Sequence, residues 1–228
     1  MQVEHLSLFD SSLYSELSSL ALRISRLGPK VEAASEASLR DFSRLSKVDQ
    51  DQVMKRLANL DEMLLCYGEA AKDVPSSTRR VSKRAIEKYR LRIRDNDLEL
   101  IDEEDVVEMY SVEGLQMFRN LEFLQHCRYS LLEVMIYEWF TLYERASFVE
   151  KDLYQWQHNV LTQKKALPCL FGENFMRERL LEEKRLYSIQ FKYLIPVFDE
   201  DDDAVQGLVL TSKGKLIAEA DAPNLRFI

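Results

Sequence analysis

Apolar residues recur at spacings of three and four through the first two thirds of the chain, the period of helices that bury one face. Leu6, Phe9, Leu13, Leu17, Leu20, Ile24 and Leu27 form one such stripe, which Gly28 and Pro29 stop. Val31, Ala34, Ser38, Phe42 and Leu45 give a shorter, more weakly apolar helix. A third follows, with Val53, Leu57, Leu60, Leu64, Tyr67 and Ala71 on one side and Ser46 and Asp49 in capping-box spacing ahead of them. Short connections predict an antiparallel helical bundle over residues 1–72.

Residues 112–165 carry the longest pattern. Leu132, Met135, Trp139, Leu142, Ala146, Val149, Leu153, Trp156 and Val160 succeed one another on a seven-residue repeat, as in a core helix or a dimer seam. Val134, Ile136, Tyr137, Phe140 and Tyr143 make the same stretch apolar all round, so it is covered on more than one side. Extended backwards, the repeat meets Gln125 and Arg128, which marks a shift of register or a break there. Ser147 and Glu150 have capping-box spacing that would restart a helix, but the unbroken heptad favours continuity. One uninterrupted helix of this length would span roughly 75 Å at about 1.5 Å per residue. An elongated molecule or a dimer follows from it.

The period changes after Leu167 and Pro168. Glu173 to Arg185 reads as one short charged helix, and from Tyr187 to Val197 apolar residues occupy alternate positions, as in a strand. Pro196 lies near its end, where a strand tolerates proline. Val205 to Thr211 gives a second strand, Ser212 to Lys215 a turn, and Leu216 to Ala220 a third strand or a final helix. The fold class is therefore mainly α with an α+β tail: an elongated helical bundle, a long central helix and a small C-terminal antiparallel meander. The domains read as 1–72, a charged linker or helical segment 73–111, and 112–228.

Composition narrows the function. The 228 residues are 46% hydrophobic and 31% charged, enough for a sizeable core, and the net charge of −8 argues against a general binder of polyanions. Three dispersed cysteines suit a reducing compartment, and no apolar run is long enough to span a bilayer, so the default is a cytoplasmic protein. Charge is nonetheless segregated. Arg79, Arg80, Lys83, Arg90 and Arg94 share one face of an amphipathic helix after a linker at 73–77, and acidic residues from Asp95 to Glu108 follow directly. This face is a candidate surface for an acidic partner or nucleic acid, unless it pairs with the acidic segment of its own chain. The segment DEEDVVEMY from Asp102 reads as one or two helical turns.

The stretch SIQFKYLIPVFDEDDDAVQGLVLTSKG resembles the closing hairpin of PAS and GAF sensory domains, in which an apolar strand ends in Pro, a loop of the type FDEDG follows and a VxGLVL strand returns. Ala204 stands where that loop has Gly, and no first pair of strands is legible ahead of the helices. The resemblance implies a sensory fold with a bound small ligand.

Catalytic signatures are sparse. The sequence holds no phosphate-cradling Gly-rich loop, nucleophile elbow, HExxH or CxxC. Asp199, Asp201 and Asp203 imitate the start of a calcium loop, but Ala204 and Leu210 replace its Gly and Glu. Glu122 and His126 share a helix face without a third ligand. The expectation is thus a non-enzymatic regulatory or scaffolding protein without metal or cofactor, a homodimer acting through helix-mediated protein contacts. Its partner surface is Arg79, Arg80, Lys83, Arg90 and Arg94, and its dimer or core seam Leu132, Met135, Trp139, Leu142, Val149, Leu153, Trp156 and Val160. The alternatives are a ligand-binding sensory module of the PAS or GAF kind signalling through the long helix, and a nucleic-acid-binding regulator using the basic helix.

Overall fold

The computed structural model describes residues 8–70, 78–112, 116–146, 149–218 and 227. In chain order they form α1 (Leu8–Arg26), α2 (Glu36–Arg44), α3 (Lys47–Ala70), α4 (Thr78–Lys88), β1 (Leu91–Arg92), α5 (Asp95–Leu98), β2 (Val106–Ser111), β3 (Gln116–Arg119), α6 (Leu121–His126), α7 (Leu131–Ile136), α8 (Trp139–Leu142), β4 (Tyr143–Arg145), α9 (Val149–Gln163), β5 (Leu167–Pro168), β6 (Asn174–Glu178), β7 (Leu186–Asp199) and β8 (Val205–Ile217). Two compact units divide the chain, residues 1–65 with 124–138 and residues 66–123 with 139–228. No helix among the described residues is long and apolar enough to cross a membrane.

In the first unit the stripes of α1 and α3 bury Leu13, Leu17, Leu20, Ile24, Val53, Leu57, Leu60 and Leu64. A later segment, α7, joins them by polar contacts at its start. Ser130 caps it in a complete capping box with Glu133, and Ser35 does the same for α2 with Ser38. The Ser35 hydroxyl also donates to Glu133 Oε1 at 2.9 Å, while Glu133 Oε2 accepts from the Ser130 amide at 2.7 Å, so one carboxylate ties two helix starts together. Backbone bonds from Leu131 to Glu32 and from Leu132 to Ala33 hold the same junction.

The second unit is built on a mixed-length antiparallel sheet in the order β3-β2-β8-β7-β6-β4, with β1 and β5 also on β7. Strand β7 pairs with β8 from Leu186 to Phe198, and its other edge takes β6, β5 and β1 in succession. Alternation gives the sheet two apolar faces. Val107, Met109, Ile195, Val197 and Val209 are buried on one. On the other, Phe191, Leu194, Leu208 and Leu210 pack with Ala146, Val149, Trp156 and Val160, so α9 covers this face. Trp156, Phe171 and Phe191 meet there edge to face or tilted, at centroid separations of 5.4 to 6.3 Å.

Lys192 anchors a buried polar knot at the sheet margin. Its ammonium donates to Asp102 at 2.7 Å and to both oxygens of fully buried Asp105 at 2.6 and 2.8 Å. Burial pulls this ammonium down, but the two aspartates outweigh it and hold the group above its ordinary range. Asn120 continues the knot, donating to the Asp105 carbonyl at 2.7 Å and accepting from the Val107 amide at 3.1 Å.

Several expectations are corrected. The elongated bundle with a small meander is instead a sheet-dominated α+β fold, with eight strands in the sheet among the described residues. Residues 112–165 are not one helix and form no coiled coil: they include β3, α6, α7, α8, β4 and α9. The heptad is a coincidence of spacing across these pieces. Helix α7 begins at the Ser130 capping box and ends where Tyr137 turns extended, and a new helix begins at Val149, against the continuity that the heptad favours. The segment DEEDVVEMY contributes β2 rather than helical turns, because Glu108 and Tyr110 alternate with Val107 and Met109. Likewise β6 replaces the charged helix expected after Glu173. Ser212 to Lys215 is no turn, since β8 runs through it opposite Ser188 to Phe191.

Two changes test this account. Gly207 sits between β2 and β7, and a Cβ there would lie 2.7 Å from the Tyr110 carbonyl oxygen, whereas one at Gly214 meets only the end of the Ile189 side chain at 3.1 Å. Urea denaturation should therefore show Gly207→Ala losing about 1–3 kcal/mol and Gly214→Ala clearly less. Lys192→Met strands the buried Asp105 carboxylate and should cost about 3 kcal/mol near neutral pH. Asp102 is held below the usual carboxylate range by hydrogen bonding to Lys192, so the stability it contributes is present above that range and lost as pH falls through its lowered value. The urea midpoint of the Lys192→Met variant should accordingly depend less on pH below about 4 than that of the natural protein.

Candidate functional site

The basic segment is partly committed within the chain. Arg79 donates to the Ile101 carbonyl at 3.0 and 3.2 Å and to the Glu99 carboxylate at 2.7 Å, so it pairs with the acidic stretch that follows. Arg94 donates to the Lys164 carbonyl at 2.9 Å and lies 4.5 Å over the Phe198 ring. Outside the expected set, Arg92 pairs with Asp203. Arg80 and Lys83 remain exposed on α4 and make no ion pair among the described residues, and Arg90 is exposed at a positive φ of 56°. The expected face is therefore divided: two of its five cations act as internal braces.

The seam residues are also dispersed. Leu132 is buried and Met135 half-buried on α7 in the first unit. Leu142, Val149, Trp156 and Val160 are buried in the second, with Leu153 packed beside them. Trp139 opens α8, and its side chain, like that of Phe140, lies outside the described residues.

Other candidates resolve into ordinary structure. Asp199 accepts from the Asp201 amide at 2.9 Å, Asp202 from Ala204, and Asp203 pairs with Arg92, which makes the acidic loop a self-bonded turn between β7 and β8. No cluster of three or more metal-ligating side chains occurs among the described residues. His158 stands with Lys151, Tyr154 and Gln155 around an open depression of about 450 Å³ on the outer side of α9. Its walls are exposed side chains of a single helix.

A different group has the character of a site. Strands β2 and β3 pair Glu108 with Arg119 and Tyr110 with Gln116, placing all four side chains on the face that α9 covers. Glu108 Oε1 accepts from the Tyr110 hydroxyl at 2.9 Å and from Gln116 Nε2 at 3.0 Å, and Arg119 Nε lies 3.3 Å from the same oxygen. The Arg119 guanidinium rests 4.3 Å over the Phe123 ring, and its side chain is only 7% exposed. Even so, its Nε and Nη1 are buried and donate no hydrogen bond to the described residues. Such a group is costly to leave unfilled. Burial pushes the Tyr110 hydroxyl far above its usual range; Glu108 adds to this, and Arg119 and Arg145 oppose it. The phenol stays protonated across the physiological range, so it serves as a donor and not as a base. The arrangement offers an anion a guanidinium with open donors, and it presents no aligned nucleophile and base.

The sequence contained one signal for this group. Glu108 and Tyr110 alternate with Val107 and Met109, and Gly114 separates them from Gln116 and Arg119, a spacing compatible with a hairpin; Gly114 itself lies outside the described residues. Compared with known proteins, the chain matches no family model, no curated protein and no solved structure.

Spectrophotometric titration checks the electrostatics. The raised Tyr110 value means that stability is fully present below about pH 10 and declines as pH rises toward the folded-state value. Tyr110→Phe should leave the tyrosinate signal below pH 11 unchanged and should flatten the fall in stability above pH 10.

Proposed function

We propose that the second unit is a non-enzymatic sensory module of the PAS or GAF kind, binding a small ligand on the α9 face of its sheet. What supports the reading is the order of elements. The closing hairpin that carries the resemblance is β7 and β8, and two strands, β2 and β3, precede the helices where the sequence had suggested none. The apolar cluster fills the hairpin's own share of that face, which leaves the polar group on β2 and β3 as the place for a ligand. Transmission is by protein contact, for which Arg80 and Lys83 on α4 offer an exposed basic patch. A cytoplasmic setting suits Cys127 and Cys169, which form no disulfide among the described residues.

The nucleic-acid reading draws less support, because Arg79 and Arg94 are engaged internally and binding to phosphate backbones falls with the number of cations presented. Native mass spectrometry of the purified chain tests the proposal. A bound small molecule, or a rise in melting temperature with one member of a metabolite collection, is expected. The absence of both would overturn it.

A further inference from the structure

We propose that the outer edge of β4 is a docking edge for an extended segment with an aromatic side chain, and that the chain's own stretch around Phe227 occupies it as a displaceable strap. Strand β4 closes one end of the strand order, opposite the end formed by β3, so this edge lies apart from the polar group on β2 and β3. Its inner side pairs with β6, Tyr143 opposite Glu178 and Arg145 opposite Met176, and Ala146 continues that ladder by donating its amide to the Phe175 carbonyl at 3.2 Å. Backbone groups of successive residues in an antiparallel strand point to alternate sides, which turns those of Arg145 outward. On that outer side Phe227 forms an antiparallel bridge with Ala146. No named strand lies there among the described residues.

Side chains supply the recognition. Glu144 stands opposite Arg177 and two residues before Ala146, and Ala146 stands opposite Phe227, so Glu144, Arg177 and Phe227 share one face. Glu144 accepts from Arg177 Nη2 and from Lys184 Nζ, both at 2.8 Å, which fixes the guanidinium in place. Arg177 then lies 4.5 Å over the Phe227 ring. Its charge is taken by Glu144 and its Nε is buried, so what it offers an incoming segment is its flat face, and a ring is the group that fits. Displacement follows from how little holds the strap. Phe227 is half-buried, and the described contacts on it are one bridge and one stacked guanidinium. Segments held so lightly open at small cost. Strand β4 keeps its ladder with β6 when the strap leaves, so the edge stays formed and ready for another extended segment.

Fluorescence anisotropy with a labelled synthetic peptide of residues 221–228 tests the edge on full chains. The Phe227→Ala chain should bind this peptide, and the natural chain should bind it about tenfold more weakly, because its own Phe227 competes at high effective concentration. A peptide with alanine in place of the phenylalanine should bind the Phe227→Ala chain about tenfold more weakly, and adding Arg177→Met to that chain should weaken the unaltered peptide severalfold. Should the Arg177→Met chain fail to fold, the Arg177 Nε–H resonance of the Phe227→Ala chain gives the readout, since it must shift when the ring of the peptide arrives. Absence of binding to the Phe227→Ala chain, equal binding by both chains, an alanine peptide that binds as well, or an unmoved Arg177 resonance would overturn the proposal. Light scattering separates one further case: a natural chain that is dimeric and becomes monomeric with Phe227→Ala would place the strap on a second copy and refute its docking within one chain.

Discussion

The pairing of β7 along both of its edges is the constraint on which the second unit depends. One edge is continuous with β8, and the other is filled in turn by β6, β5 and β1, drawn from three separate parts of the chain. Every backbone donor and acceptor of a central strand needs such a partner, because an unmade hydrogen bond in the interior costs more than a made one contributes. This requirement brings β1 and β5, each only two residues long, into the sheet. It also sets the position of Gly207, where β2, β8 and β7 approach too closely for a side chain.

Around that strand, burial of charge is organised by satisfaction. Lys192 neutralises the wholly enclosed Asp105, Glu178 accepts from the Tyr187 hydroxyl and the Arg185 amide, and Glu144 is held between Arg177 and Lys184. Arg119 departs from the rule in part, as does Arg177, whose buried Nε finds no acceptor among the described residues. Arg119 has a counter-ion in Glu108, but that carboxylate's oxygen is shared with Tyr110 and Gln116, and the guanidinium keeps open donors in a place where water is scarce. A local departure from otherwise consistent packing is where function is to be sought.

Much of the helical part was legible. The stripes of α1 and α3 follow from periodicity, strand β7 from alternation over Tyr187 to Val197, and the first half of β8 from the apolar run after a loop rich in aspartate. The middle of the chain was not. From Leu132 to Val160 apolar residues fall on a heptad by chance, yet they belong to pieces that turn extended at Tyr137 and at Tyr143 to Arg145. Short apolar runs carry no distinction between helix and strand, and the decisive cues there were caps: the Ser130 and Glu133 pair, and a helix starting at Val149. The candidate site left only the alternation of Glu108 and Tyr110 with Val107 and Met109 as a signal. Glu108, Tyr110, Gln116 and Arg119 become neighbours only when β2 and β3 pair, and β3 has four residues with no pattern of its own.

The sequence by itself determined which segments carry a one-sided apolar stripe, where Gly28 and Pro29 end a helix, and that residues 187–197 and 205–211 are strands, because these properties reside in neighbouring residues. Only the tertiary structure decided that 106–119 is sheet, that α9 lies across one face of it, and that Arg79 and Arg94 act as braces while Arg119 is left with donors to offer. Those outcomes depend on hydrogen-bond and charge partners distant in sequence, whose choice is made by what the sheet can pair and what the core can enclose.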